Sequence, residues 1–336
     1  MTIGPLPPML RFSAAAASLL LALAPASAHH SVAYYGDEYV ELAGRIVEVN
    51  WRNPHVGMTL EVVNDRGITE TWGMEGNSIY NLRRQGVTPD LFPAGQEVIV
   101  RGQMSTREDR MLLMDTIYMP DGREFILWDL TGRVAVDETV VDAAAENRGI
   151  FRVWSVPRAN ILAYLDQLVD QPFTERAIAS RADWNPLDNY ATRCEQEGMP
   201  RIMVNPHPFE FIDRGATITL RTELYDIERT IHMDRDAPSA DTPWTPHGYS
   251  VGRWDGEDLV VTTTRVNWPY FDNHGTRQTE DVMIQERFGL SEDQSRLNFT
   301  VTVTDPETFS EPAVLSGYWE ALGESIPSYD CQPLIQ

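Results

Sequence analysis

Short segments in which apolar and polar residues alternate, each bounded by turn residues, restrict the fold more than any other feature of this sequence. Between Val56 and Val62 every second residue is apolar, and Gly57, Thr59 and Glu61 lie between them. A period of two is typical of a strand that buries one face, and similar segments occur in both halves of the chain. The sequence therefore predicts a mainly β protein.

The first half, residues 29–128, is predicted to form a small closed barrel. Its first three strands are expected at residues 42–49, 56–62 and 68–74. A short helix follows, which Asn77 or Ser78 caps and which ends at Gly86. Two further strands complete the domain, with a hairpin at Asp121-Gly122. Three strands, a helix and two strands is the element order of an OB-fold barrel.

Residues 129–195 are predicted to be an acidic linker and a helical connector, and residues 196–336 a second β domain. Ile161, Leu165 and Leu168 have the spacing of an amphipathic helix. Seven strands are expected in the second domain, at residues 216–225, 227–233, 248–253, 259–266, 282–288, 297–303 and 313–320. Antiparallel strands at such regular spacing form a barrel or a sandwich, and the sequence leaves both open.

Residues 1–28 are predicted to be a secretory signal peptide. Arg11 precedes a short apolar run, and Ala26 and Ala28 supply the small residues of a cleavage site before His29. The run is too short to span a bilayer, and no twin arginine precedes it. We therefore expect Sec export to the periplasm or the medium, with no membrane insertion of the mature chain.

The charge of the chain excludes several classes of partner and chemistry. Acidic residues number 50 against 27 basic ones, which gives a net charge of −23. Nucleic acids and anionic membranes bind basic surfaces, so neither is expected as a partner. All the basic residues are arginine, which rules out a Schiff-base lysine and a P-loop lysine. The expected partner is a small-molecule ligand or an envelope protein.

The two cysteines, Cys194 and Cys331, are expected to form a disulfide in an oxidising compartment. In the chain-entropy model a bond that closes so long a loop stabilises the fold by roughly 5 kcal/mol. The alternative is a pair of buried thiols. Neither cysteine belongs to a CxxC motif, so redox catalysis is not expected.

Both halves of the mature chain carry motifs that resemble those of exported bacterial families. The first set consists of His29-His30-Ser31, Gly44, Trp51, Asn53-Pro54-His55, Trp72 and Glu75. It resembles a domain family of unknown function whose members begin with HHS and carry a W-x-NPH element. The second half is similar to another uncharacterised family through the segments 149–155, 198–201 and 252–256. These resemblances imply export and a β-rich, OB-like architecture, and they carry no activity.

Four residues of the first domain are candidate metal ligands: His29, His30, His55 and Glu75. Cleavage after Ala28 places a free α-amine and an imidazole on His29, and these two nitrogens chelate a metal in one small ring. A set of nitrogen ligands favours Cu(II), the cofactor expected here. The alternative is that His29 and His30 lie on a frayed terminus and that His55 caps a strand.

The second domain has no motif for nucleophilic catalysis or nucleotide binding, because GxSxG, HExxH and GxGxxG are all absent. Its aromatic residues Trp254, Trp268, Tyr270 and Phe271 are candidates to line a ligand site. The leading hypothesis is therefore a periplasmic binding protein for a small, partly apolar ligand.

The rival hypothesis is an envelope enzyme in which His247, His274 and Glu286 act as acid and base. A general acid and a general base must converge within one water of a common pocket. The positions of these three side chains in the fold therefore discriminate between the two hypotheses.

Overall fold

The computed structural model describes residues 35–106, 108–128, 149–157, 160–185, 189–322 and 326–331. The predicted signal peptide, His29, His30 and most of the predicted acidic linker lie outside the described residues. The helices of the described part are all too short or too polar to cross a membrane.

The first domain is a small barrel with the predicted OB-like strand order. Its strands are β1 Tyr35–Asn50, β2 Gly57–Val63, β3 Thr69–Glu75, β4 Glu97–Ser105, β5 Met111–Tyr118 and β6 Glu124–Ile126. They pair in the order β3-β2-β1-β4-β5-β6, and a parallel pairing of β3 with β5 closes the first five into a ring. Helix α1, Ile79–Arg83, lies between β3 and β4 in sequence, and Ser78 caps it. Its Leu82 is fully buried in the core of the barrel.

The second domain is a closed nine-stranded barrel and not a sandwich. Its strands are β7 Val153–Ser155, β8 Phe209–Asp213, β9 Thr217–Thr222, β10 Glu228–His232, β11 Tyr249–Asp255, β12 Asp258–Thr264, β13 Met283–Leu290, β14 Arg296–Thr304 and β15 Ala313–Leu322. The closed order is β10-β11-β12-β13-β14-β15-β7-β8-β9. Neighbours are antiparallel except β10 and β11, which are parallel. Strand β7 comes from the segment in which the sequence predicts a connector.

Two short helices form the predicted helical connector, α2 Ile161–Gln167 and α3 Glu175–Ala179. Helix α2 packs on β15, where the hydroxyl of Tyr164 donates to the carbonyl of Tyr318 at 2.6 Å. The side chain of Gln167 exchanges two hydrogen bonds with the main chain of Ser316. The connector therefore belongs to the outer wall of the second barrel.

Large aromatic side chains fill the interior of the second barrel. The ring of Trp319 is stacked on Phe209, Phe299 and Phe288, with centroids 4.6, 4.8 and 5.8 Å away. All four side chains are buried. Stacked aromatic rings of this size are a strong source of apolar stabilisation, and they occupy the space that a ligand would need.

A charged pair is buried in the same barrel. Arg229 of β10 donates two hydrogen bonds to the carboxylate of Glu286 on β13. It also donates to the hydroxyls of Ser250 and Thr263, at 2.9 and 2.8 Å. Both charged side chains are at most 2 % exposed, so each is compensated entirely by protein groups.

The two barrels meet along α1 and the segment 326–331. Asn53 of the first barrel donates to the carbonyl of Tyr329 at 2.6 Å, and Tyr80 hydrogen-bonds Ser155 of β7. Cys331 lies beside Asn53 and forms the predicted disulfide with Cys194. The bond therefore holds segment 326–331 in the contact between the barrels.

Candidate functional site

The structure brings together two of the four predicted metal ligands. His55 lies in the loop before β2, and Glu75 is the last residue of β3. Because Gly57 and Glu75 are cross-strand partners, this loop passes the end of β3. Nε2 of His55 is 3.8 Å from Oε1 of Glu75, and both side chains are nearly buried.

A hydrogen bond to the main chain fixes which ring nitrogen of His55 is protonated in its neutral form. Nδ1 lies 3.0 Å from the carbonyl oxygen of Gly76. A carbonyl only accepts, so Nδ1 carries the hydrogen and Nε2 carries the lone pair. A metal-ligating histidine commonly donates its second ring N–H to such an acceptor. The lone pair of His55 therefore lies on the nitrogen closer to Glu75.

Tyr35, which the sequence did not single out, orients Glu75. Its hydroxyl donates to Oε2 of Glu75 at 2.9 Å. Burial, followed by the nearby Glu75 carboxylate, raises the pKa of Tyr35 far above its ordinary value, so the hydroxyl stays a donor at neutral pH. The other oxygen, Oε1 of Glu75, is buried and has no hydrogen-bond partner among the described residues.

The described residues do not complete a metal site by themselves. They contain no group of three or more His, Cys, Asp or Glu side chains that is arranged to hold a metal. The remaining predicted ligands, His29 and His30, lie outside the described residues. Tyr35, at the start of β1, is five residues after His30, and five extended residues span at most about 16–18 Å.

The four aromatic residues predicted to line a ligand site fall into three places. Trp268 and Tyr270 lie together, 5.9 Å apart, and both contact Tyr190. Phe271 is fully buried in a separate aromatic core. Trp254 is about half exposed at the end of β11. The four therefore do not form one pocket.

The three predicted acid–base residues are each engaged with a different partner. Glu286 is paired with Arg229 inside the barrel. Nε2 of His247 lies 3.0 Å from the carbonyl of Glu197, and burial lowers the pKa of this histidine. The main chain of His274 donates to Asp272. Glu286 and His247 make these contacts through their side chains, whereas His274 makes its contact through its main chain.

A buried group of ionisable side chains that the sequence did not predict lies where the barrels meet. We name it the junction cluster, and its members are Tyr190, Glu197, Arg201, His207, Glu223, Tyr225 and Tyr329. The Tyr329 ring is 5.3 Å from His207 and 5.0 Å from Tyr225, so segment 326–331 covers one side of the cluster.

The ion pairs of the junction cluster are too long to be hydrogen bonds. Arg201 Nη1 is 3.6 Å from Glu197 Oε2, and His207 Nδ1 is 3.8 Å from Glu223 Oε1. One polar atom of each of these four side chains is buried without a hydrogen-bond partner among the described residues. Burial raises the pKa of Glu197. The sequence signal was the segment 198–201, which the family resemblance included without a role for Arg201.

The comparisons with known proteins concern the first barrel. A search of the curated proteins finds no match to this chain. Residues 17–112 match the model of a family of unknown function, DUF6152. The matched region includes Tyr35, His55 and Glu75, so the candidate metal centre lies within the part of the chain that is similar to this family.

Proposed function

We propose that the protein is an exported, periplasmic binding protein that holds Cu(II) between its mature N-terminus and the His55–Glu75 pair. The observation that carries the proposal is the 3.8 Å separation between Nε2 of His55 and Oε1 of Glu75. Two ligand atoms bound to one metal at about 2.0–2.2 Å cannot be more than about 4.2–4.3 Å apart. The pair is within that limit, and one atom of each residue is suited to ligation.

The remaining ligands would come from the predicted mature N-terminus. His29 contributes an α-amine and an imidazole, and His30 contributes a second imidazole. The four residues between His30 and Tyr35 are enough to reach Glu75, since the Tyr35 hydroxyl already contacts that carboxylate. Together with His55 and Glu75 this makes four nitrogens and one carboxylate oxygen, a set that favours Cu(II) over the other divalent metals at equal availability.

The experiment is Cu(II) titration of mature protein purified from the periplasm, followed by electron paramagnetic resonance. We expect one copper per chain, nitrogen ligation, and a mass that corresponds to cleavage before His29. His55→Ala should change the spectrum and weaken binding, and Tyr35→Phe should weaken binding about 10–100-fold because it releases an oriented ligand.

His232→Ala is the matched control, since His232 lies in the second barrel and is stacked on Tyr249. It should leave the copper spectrum unchanged. The proposal is wrong if the leader is retained, if cleavage follows His29, or if the spectrum is the same in wild type, His29→Ala and His55→Ala.

We propose that the small, partly apolar ligand expected in the second domain binds on the outer surface of the barrel. The support is that the interior is filled by Trp319 and its neighbours, whereas Trp268 and Tyr270 are partly exposed and pack on the buried ring of Tyr190. Native mass spectrometry of protein purified from its host should detect a co-purifying compound that Trp268→Ala loses. Ligand-free spectra from every preparation would contradict this proposal.

An acid–base enzyme is the second candidate function, and the junction cluster is the observation that favours it. Buried polar atoms are rarely left without partners, and here Glu197, Arg201, His207 and Glu223 each have one. Incubation with a periplasmic metabolite extract should reveal a compound that wild type consumes and Glu197→Gln does not. An identical metabolite profile with and without the protein would eliminate the enzyme.

A further inference from the structure

The outer wall of the second barrel carries a groove that no part of the proposed function uses. It has a volume of about 260 Å³ and is lined by Arg253, Asp255, Val260, Gln285, Arg287, Thr300 and Thr302. These side chains come from the four consecutive strands β11 to β14. We name it the outer groove.

Strand register explains the shape of the outer groove. Arg253, Val260, Arg287 and Thr300 are successive cross-strand partners. Adjacent strands are about 4.8 Å apart, so the two arginines lie on either side of Val260. Although Val260 is on the outer face, it is only 6 % exposed. The groove is therefore mostly polar, and its one apolar lining residue is nearly covered.

One arginine of the outer groove is held in place and the other is not. Arg287 donates to the carboxylates of Asp255 and Asp258. The Arg253 side chain makes no hydrogen bond or ion pair with any described residue. The same is true of the side chains of Gln285, Thr300 and Thr302 in the same groove.

These side chains supply both hydrogen-bond donors and hydrogen-bond acceptors on a rigid sheet. The free guanidinium has five N–H donors, and the threonine hydroxyls and the glutamine amide both donate and accept. A pyranose ring presents the matching chemistry, with hydroxyls at its edge that both donate and accept hydrogen bonds. The strands hold the backbone of these residues in register, whereas the unpaired side chain of Arg253 loses conformational freedom on binding.

The negative charge of the chain favours neutral saccharides over anionic ones. The chain has a net charge of −23, and Asp255 and Asp258 lie beside Arg287. A field of this sign repels a polyanion, whereas it does not act on a neutral sugar chain. We propose that the outer groove binds a short segment of a neutral oligosaccharide, with Arg253 as the principal hydrogen-bond donor. This site is separate from the copper proposal and does not depend on it.

The test is isothermal titration of the full mature chain with cellohexaose, maltohexaose and chitohexaose, with an oligogalacturonate as the anionic comparison. We expect saturable binding of at least one neutral hexasaccharide. Arg253→Ala should weaken it about tenfold or more, as expected for the loss of a hydrogen bond to a charged group. Thr302→Val should weaken it by a smaller factor.

Arg214→Ala is the matched control, because Arg214 is an exposed arginine in the turn between β8 and β9. It should bind the same saccharide with wild-type affinity. No binding of the three neutral saccharides at millimolar concentration overturns the proposal. So does binding of the oligogalacturonate alone, or equal affinity in wild type and Arg253→Ala. A negative result here leaves the copper experiment unaffected, since the two use different variants and readouts.

Discussion

Substitution of Arg229 by methionine should destabilise the second barrel more than any surface change. The substitution keeps most of the side-chain volume and removes the guanidinium, which leaves the carboxylate of Glu286 buried without its cation. Glu286 is fully buried and Arg229 is 2 % exposed, so solvent does not screen the loss. Removal of one partner of a buried ion pair costs about 3–5 kcal/mol.

The double variant Arg229→Met, Glu286→Leu separates the effect of the unpaired charge on stability from the effect of altered packing. Because both charges are then absent, we expect it to recover most of the stability that the single variant loses.

The assay is thermal and urea unfolding of the mature chain with its disulfide intact, followed by tryptophan fluorescence. For a domain of this size, 3–5 kcal/mol corresponds to a fall in Tm of about 6–20 °C. Arg45→Met is the control, since the Arg45–Glu61 pair is exposed and should contribute little. A single variant within 2 °C of wild type, or a double variant no more stable than the single, refutes the reasoning.

Two further predictions concern the junction between the barrels. Burial raises the pKa of Glu197, so the folded state binds a proton that the unfolded chain releases. Stability should therefore fall as the pH rises from the ordinary glutamate value through the folded pKa, and Glu197→Gln should flatten the dependence of unfolding free energy on pH above the ordinary glutamate value. Replacement of Cys194 and Cys331 by serine should cost up to roughly 5 kcal/mol in the chain-entropy model, measured by urea unfolding. Two free thiols in non-reducing mass spectrometry of wild type would contradict the second expectation.

Much of the fold was predictable because most strands bury one face. The alternation at 56–62 predicted β2, and each of the seven predicted segments of the second half overlaps one of the strands β9 to β15. Strand β8 was not among the predicted strands, although its buried Phe209 and Phe211 alternate with less buried residues. Strand β7 could not be predicted, because all three of its residues are buried and they show no alternation of apolar and polar residues.

The candidate sites were less predictable, because they depend on contacts between distant segments. His55 and Glu75 were chosen from a motif, and the structure places them together. Tyr35 could not be found, since nothing in a strand sequence reveals a hydroxyl aimed at a carboxylate 40 residues away. Arg229 and Glu286 did leave a signal, as each occupies an inward position between apolar residues.

The closure of the second barrel has a consequence for the order in which the chain folds. Strand β15 pairs with β14 on one side and with β7 on the other. Until β15 has been synthesised, β7 and β14 both have unpaired edges, which are templates for aggregation. Pairing between segments so far apart in sequence is slow, whereas the first barrel needs only residues before β7. We therefore expect the first barrel to fold while the second is still an open sheet, which gives a chaperone a defined interval in which to act.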